Sequence, residues 1–213
     1  MFFNQVPIGT MQNFSYIIGD ENSKEAAVVD AGWEIDKLID ICNKEKLKIK
    51  KIILTHSHYD HVQKVDELAS KTNAEVCFHE DDFNEIKNSI KNPNIKIHRL
   101  KNNDEINIGK IKIKVIHTPG HTPGAICLLA ENKLLTGDTL FVNAIGRTDL
   151  AGGDSLKLFE SLQKLKKLDD KIEVYPGHDY GDIPFSTIGG EKKTNPYFMC
   201  NTKEQFMNLL GRF

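Results

Sequence analysis

The chain of 213 residues is long enough for one substantial core and is read as a single domain, 1–213. Its 28 Lys and Arg against 30 Asp and Glu give a formal net charge of −2, which leaves no electrostatic footprint for nucleic acid or an anionic membrane. Met1 to Thr10 lacks the basic start of a signal peptide, and the longest apolar run, Ala125 to Ala130, falls far short of a membrane span, so a soluble, cytoplasmic protein is expected.

Phe2 to Ala31 reads as three short strands, with Ile17-Ile18 and Ala26-Ala27-Val28-Val29 as apolar cores and Gly19-Asp20-Glu21-Asn22 as a turn. Trp33 to Lys46 follows as an amphipathic helix through Ile35, Leu38, Ile39 and Cys42, and Asp30 is placed to cap it. The next apolar run, Lys51 to Leu54, empties at Thr55 into His56-Ser57-His58-Tyr59-Asp60-His61. Three histidines and an aspartate within six residues are a metal signature, because neutral imidazole is the commonest metal ligand. His56 and His58, two apart, leave an extended segment on one side and reach one ion. Asp60 and His61 fall on the turn beyond, where they can serve a second. Tyr59, between them, faces a substrate or packs.

Val62 to Lys71 has helical spacing in Val65, Leu68 and Ala69, so the metal loop crowds against a helix N-terminus. Glu75 to His79 is a strand, and Asp81 to Lys91 a helix with Phe83, Ile86 and Ile90 inward, ended by Asn92-Pro93-Asn94. Strands follow near Ile95 to Leu100, Glu105 to Ile108 and Lys110 to His117. The last opens into Thr118-Pro119-Gly120-His121. Ala125 to Ala130 and Lys133 to Thr136 form a hairpin that leads to Gly137-Asp138-Thr139. Ser155 to Lys167 is a helix with Leu156, Phe159, Leu162 and Leu165 on one face, and a further strand ends at Pro176-Gly177-His178. Four strand ends thus each deliver a candidate ligand into a loop, where sites on α/β scaffolds are usually built. His79, His98 and His117 have no partner motif and are read as structural or surface residues. The four cysteines form no C-x-x-C pair; Cys42, Cys77 and Cys127 are read as buried, Cys200 as exposed.

With these motifs in hand, the chain from about Asn13 to Phe198 resembles the metallo-β-lactamase superfamily, and within it the glyoxalase II-like branch. The resemblance rests on Val29-Asp30-Ala31-Gly32, the His56 to His61 motif, the His121 loop, Gly137-Asp138-Thr139-Leu140-Phe141, Gly146-Arg147-Thr148-Asp149 and Pro176-Gly177-His178. Periodicity by itself supports a mixed α/β domain with two sheets or one large one. The resemblance implies an αβ/βα sandwich, two facing mixed sheets with helices outside. It also implies two divalent metal ions, zinc first, with iron or manganese as alternatives. His56, His58 and His121 would hold one, Asp60, His61 and His178 the other, and Asp138 would bridge. Asp60 and Asp138 would then take part in catalysis directly, and Asp30 would orient the histidine loop.

Such a centre suits hydrolysis of a small-molecule thioester. A thiolate leaving group, with a conjugate-acid pKa of about 8.5, needs little help from a general acid, and the loops offer none beyond the ligands and Tyr59. Glyoxalase II enzymes proper carry a glutathione-binding extension and a basic-aromatic-aromatic stretch after the bridging Asp. Here that stretch reads Gly146-Arg147-Thr148-Asp149-Leu150, and the tail from Ser186 to Phe198 looks like that of short single-domain members. Arg147 either binds a substrate carboxylate or makes a structural ion pair. A second reading comes from a resemblance of Gly146 to Asp149 and Pro176 to Tyr180 to persulfide dioxygenases, with one iron on His56, His121 and Asp138 and a thiol persulfide as substrate.

Overall fold

Successive residues along a strand send their side chains to opposite faces and residues two apart share one, and apolar residues bury both faces of the two main sheets. The computed structural model describes residues 1–211. In it β1 (Phe2–Ile8), β2 (Asn13–Gly19) and β3 (Glu25–Val29) form an antiparallel meander. Three parallel strands extend it: β4 (Lys48–Ile53), β5 (Glu75–His79) and β6 (Ile97–Leu100). The connections are α1 (Ile35–Lys44), then α2 (Tyr59–Val62) with α3 (Val65–Thr72), then α4 (Phe83–Ile86) between two 3₁₀ turns.

The second sheet repeats this plan. β7 (Glu105–Ile108), β8 (Ile111–His117), β9 (Ile126–Ala130) and β10 (Lys133–Gly137) are antiparallel in turn. A small hairpin, β11 (Leu140–Phe141) and β12 (Ala144–Ile145), precedes α5 (Ser155–Leu165), which crosses to β13 (Glu173–Pro176), parallel to β10. β14 (Ser186–Thr187) closes that edge, and α6 (Ile188–Thr194), α7 (Pro196–Met199) and α8 (Lys203–Leu210) follow. The strand orders are β1-β2-β3-β4-β5-β6 and β14-β13-β10-β9-β8-β7.

Three apolar clusters bind the layers. Between the sheets Tyr16, Ala27, Val29 and Ile53 meet Ile113, Val115, Leu128 and Leu135. Outside the first sheet Ala26, Val28 and Ile52 meet Leu38 of α1, Leu68 of α3 and Ile86 of α4. Outside the second, Cys127 and Leu134 meet Leu158 and Leu162 of α5 and Phe206 of α8. Each fully buried Ile, Leu or Val contributes about 1.5–3 kcal/mol. The arrangement is the expected αβ/βα sandwich. No helix of the described residues is long and apolar enough to cross a membrane.

Four expectations are corrected. The helix read from Asp81 to Lys91 is three short pieces, Glu80–Asp82, Phe83–Ile86 and Lys87–Ser89, because Asp82 (φ −99°, ψ 10°) leaves helical geometry to direct its carboxylate inward. The helix read from Val62 to Lys71 breaks at Gln63-Lys64, where Lys64 N–H bonds the Ala31 carbonyl. In α5 the buried stripe runs Leu158, Phe159, Leu162 and Leu165, while Leu156 is 45% exposed. Two positions before Leu158 is 200° around the helix, on its far side. Cys200 is buried, its thiol directed at the Pro196 carbonyl, and all four cysteines are free.

Candidate metal centre

The C-terminal ends of β3, β4, β8, β10 and β13 all open on the same edge of the sandwich, where open α/β sheets bind ligands. From that edge come Asp30, the His56 to His61 loop, His121, Asp138 and His178. Backbone closeness there leaves no room for side chains. A Cβ on Gly32 would lie 1.7 Å from the Asp60 carbonyl oxygen, and one on Gly177 would lie 2.2 Å from Asp138 Oδ1.

The residues fall into two groups with potential ligand atoms within 4.8 Å of one another, His56 with His58 and His121, and Asp60 with His61 and His178. Asp138 lies between them. Its Oδ2 is 3.4 Å from His121 Nε2, 3.9 Å from His56 Nε2 and 3.3 Å from His178 Nε2, and its Oδ1 is 3.4 Å from His61 Nε2. Asp60 Oδ2 is 3.4 Å from both His61 Nε2 and His178 Nε2.

A surrounding layer of hydrogen bonds sets the ring tautomers. His178 Nδ1–H donates to the Met11 carbonyl at 2.9 Å, and His121 Nδ1–H donates to the Arg147 carbonyl at 2.7 Å. His61 Nδ1–H donates to Asp30 Oδ2 at 2.9 Å. The same carboxylate accepts from Thr55 N–H and Thr55 Oγ1–H, each at 2.7 Å, which leaves the Thr55 oxygen to accept from His56 Nδ1–H at 3.0 Å. In neutral rings each Nε2 then carries a bare lone pair aimed into the centre, the arrangement that metal-binding histidines adopt. Asp30 (φ 59°) therefore orients the histidine loop; the cap of α1 is Glu34, with no side-chain hydrogen bond.

Cations fit this geometry. His56 Nε2, His121 Nε2 and Asp138 Oδ1 are buried with no hydrogen-bond partner among the described residues, a state that is costly unless a charge is present. His61 Nε2 and His178 Nε2 face each other at 3.1 Å, and two lone pairs at that distance repel unless positive charge lies at or between them. Burial opposes the Asp138 charge, but the imidazoles of His61 and His178 outweigh it and hold the carboxyl well below the usual range. Burial drives His56 well below the ordinary imidazole value, and burial beside His121 takes His58 down to about 4, so both are neutral and ready to ligate.

Over the centre opens a cleft of about 450 Å³. Tyr59 and Arg147 both line it. The Tyr59 ring is 58% exposed and meets Trp33 edge-on, with its hydroxyl 2.8 Å from Met11 Sδ. Arg147 is held by Asp149 through two hydrogen bonds, at 2.7 and 2.8 Å. His79 and His117 lie away from the centre, stacked on each other at 3.8 Å, and His98 is exposed on β6. Two supporting residues carried no signal in the sequence. Asn13 Nδ2–H donates to Asp60 Oδ2 at 2.8 Å, and the fully buried Asp82 accepts from Thr122 Oγ1–H and Gly124 N–H, which clamps the His121 loop. Both are unremarkable polar residues, Asn13 at the start of a strand and Asp82 in a segment read as helix, and only the folded chain brings them to the site.

A model of the metallo-beta-lactamase superfamily matches residues 8–178. Among known proteins, the probable polyketide biosynthesis zinc-dependent hydrolase PksB of Bacillus subtilis is 34% identical over 201 residues, covering 94% of this chain and 88% of that one. ETHE1 from Myxococcus xanthus has a similar structure, with a TM-score of 0.88 at 29% identity over 99% of this chain and 90% of that one. TTHA1623, crystallised in a di-iron-bound form, gives a TM-score of 0.79 at 29% identity, over 91% and 99% of the two chains. The matched segment contains the candidate ligands and the residues that hydrogen-bond to them, from Met11 to His178, and the chain belongs to the metallo-β-lactamase superfamily.

Proposed function

We propose that this protein is a two-metal hydrolase of the glyoxalase II-like kind, with a thioester as substrate. The observation that carries the reading is the complete second group: Asp60, His61 and His178 converge with two facing Nε2 lone pairs, a place for a second cation beside the one suited to His56, His58 and His121. Asp138 reaches both groups. Two divalent ions, if held by these residues, would lower the pKa of water and polarise a carbonyl. The chain's own residues do the rest. Asp30, Thr55, Met11 and Arg147 hold the imidazoles in ligating orientation through the hydrogen bonds already described, and Asn13 turns Asp60. Beyond the candidate ligands, the proton-bearing groups that line the cleft among the described residues are the Tyr59 and Tyr180 phenols and Arg147. A thiolate leaves without a general acid, whereas an amine or alkoxide leaving group needs one. The likeness to PksB, a probable zinc-dependent hydrolase, supports hydrolysis, and the likeness to TTHA1623 in its di-iron-bound form supports a site for two metal ions.

The second reading, a mononuclear iron oxygenase acting on a thiol persulfide, uses His56, His121 and Asp138. It leaves Asp60, His61 and His178 without a metal, with only a proton on His61 to relieve the contact between the two Nε2 atoms. Metal analysis of protein purified without added metal, followed by His178→Ala, separates the two. Two metal equivalents in the wild type, about one in the variant, and thioester turnover lower by at least ~100-fold, or about 2.7 kcal/mol of transition-state stabilisation, are expected. A single iron, with oxygen consumed on glutathione persulfide before and after the substitution, would replace the hydrolase with the oxygenase.

A further inference from the structure

The walls of the cleft differ in chemistry from its floor. Asp60, Asp138 and the imidazoles form the floor, while Met11, Tyr59, Phe141, Ile145, Leu150 and Tyr180 form much of the wall. Tyr59 and Tyr180 are more than half exposed, and Met11 and Leu150 more than a third. Large apolar groups left open to water around a reactive centre are a binding surface, because covering them is favourable. Apart from the imidazoles, the one cationic group lining this cleft among the described residues is Arg147. Its Nε–H and Nη2–H both donate to the Asp149 carboxylate, two residues on in the same loop. The pair is exposed, so it adds little to stability, yet the carboxylate cancels the local positive charge whether or not the bonds are made. Arg147 holds the Asp149 carboxyl down to about 2, so Asp149 stays charged across the physiological range.

We infer that the cleft takes an uncharged, apolar acyl tail and that Asp149 is the residue that selects against a carboxylate-bearing one, by occupying Arg147. The inference rests on the thioester reading for the word acyl. The preference for an apolar tail rests on the wall itself. A terminal carboxylate entering this cleft loses solvation, meets aromatic and aliphatic side chains, and must compete with Asp149 for the guanidinium.

The test uses the metal-loaded protein and two thioethers of N-acetylcysteamine that are not hydrolysed, one with an n-hexyl tail and one with a 5-carboxypentyl tail. Calorimetric titration is expected to give at least fivefold tighter binding of the hexyl compound. In Asp149→Ala the ratio of the two affinities is expected to fall by at least threefold, because the freed guanidinium then receives the carboxylate. A wild-type preference below fivefold, a preference for the carboxylate, or no measurable binding of either compound overturns the tail assignment. A ratio that falls by less than threefold in Asp149→Ala overturns the role of Asp149. Turnover of the hexanoyl thioester is measured separately: its absence alongside an intact hexyl preference sinks the hydrolase reading and leaves the binding preference standing.

Discussion

Asp138 is the carboxylate that reaches both groups of histidines, and its charge is what couples them. Asp138→Asn preserves shape but removes that charge, and an amide bridges two cations poorly. Loss of metal from the purified variant, with thioester turnover down at least ~100-fold, is expected; unchanged metal content and rate would remove Asp138 from the centre. His61 sets the behaviour with pH. Burial opposes its charge, but Asp138, Asp30 and Asp60 outweigh burial and raise it to about 9 in the metal-free protein. Its folded value therefore lies above an unfolded value near 6.5. The stability it contributes is fully present below about pH 6.5 and is lost as pH rises through about 9. A proton on His61 Nε2 relieves the contact with His178 Nε2, so proton and metal compete for one position. Calorimetric metal titrations between pH 7 and 8 are expected to show proton release and an affinity that rises with pH. A flat affinity over that window contradicts this account.

The elements around the site gain stability from apolar faces, and α5 shows how finely a face is set. Asp154 caps its start by accepting from Leu156 N–H and Lys157 N–H, and this phases the helix so that Leu158, Leu162 and Leu165 face the second sheet. Leu158→Ala is expected to cost about 2–5 kcal/mol in denaturant unfolding, whereas Leu156→Ala should stay within about 0.5 kcal/mol. Similar losses at both positions would mean that the phase is wrong. The C-terminal elements support the cleft in the same indirect way. Glu191, buried on α6, accepts from Asn143 N–H at 3.0 Å, and buried Asn195, which caps α7, donates to the Ala144 carbonyl at 2.9 Å. These bonds hold the β11–β12 hairpin that presents Phe141 and Ile145 to the cleft.

For the whole molecule the central fact is that two similar halves meet at one edge, each supplying part of the site. Asp82 ties them together there. It follows β5 of the first sheet, and its carboxylate holds Thr122 and Gly124 of the loop after β8 in the second. Burial raises the Asp82 carboxyl, and the bonds from Thr122 and Gly124 counter that rise. Asp82→Ala leaves two buried donors unpaired, at a cost of about 1–3 kcal/mol, and loosens the loop that carries His121. Metal titration of the folded variant is expected to show weakened binding at one of two sites, that of His56, His58 and His121, with the other retained. Equal weakening of both, or a fall in thermal stability with metal binding untouched, would leave Asp82 as a packing residue only.

The long strands, α1, the inward stripe of α3, most of that of α5 and the His56 to His61 loop were legible in the sequence, because each is written in neighbouring residues through alternation, helical spacing or ligand density; the two-residue strands β11, β12 and β14 and the short helices α6 to α8 were not read there. His121, Asp138 and His178 were legible for a related reason: each follows an apolar run and precedes or follows glycine. What local pattern lacks is distance through space. The convergence of Asn13, Asp30 and Met11 on the ligands, the pairing of Arg147 with Asp149, and the clamp by Asp82 depend on contacts between segments far apart in the chain or on side-chain direction within a loop. The broken segment after β5 misled for the same reason: Phe83, Ile86 and Ile90 have helical spacing, but the buried bonds from Thr122 and Gly124 to Asp82 outweigh the weak propensity of so short a helix. Sequence by itself thus determined which residues could bind metal and which faces are apolar. Tertiary structure alone decided the tautomers, which groups hold the imidazoles and Asp60 in place, and the polarity of the cleft, since those follow from hydrogen bonds and burial that exist only when both sheets are packed.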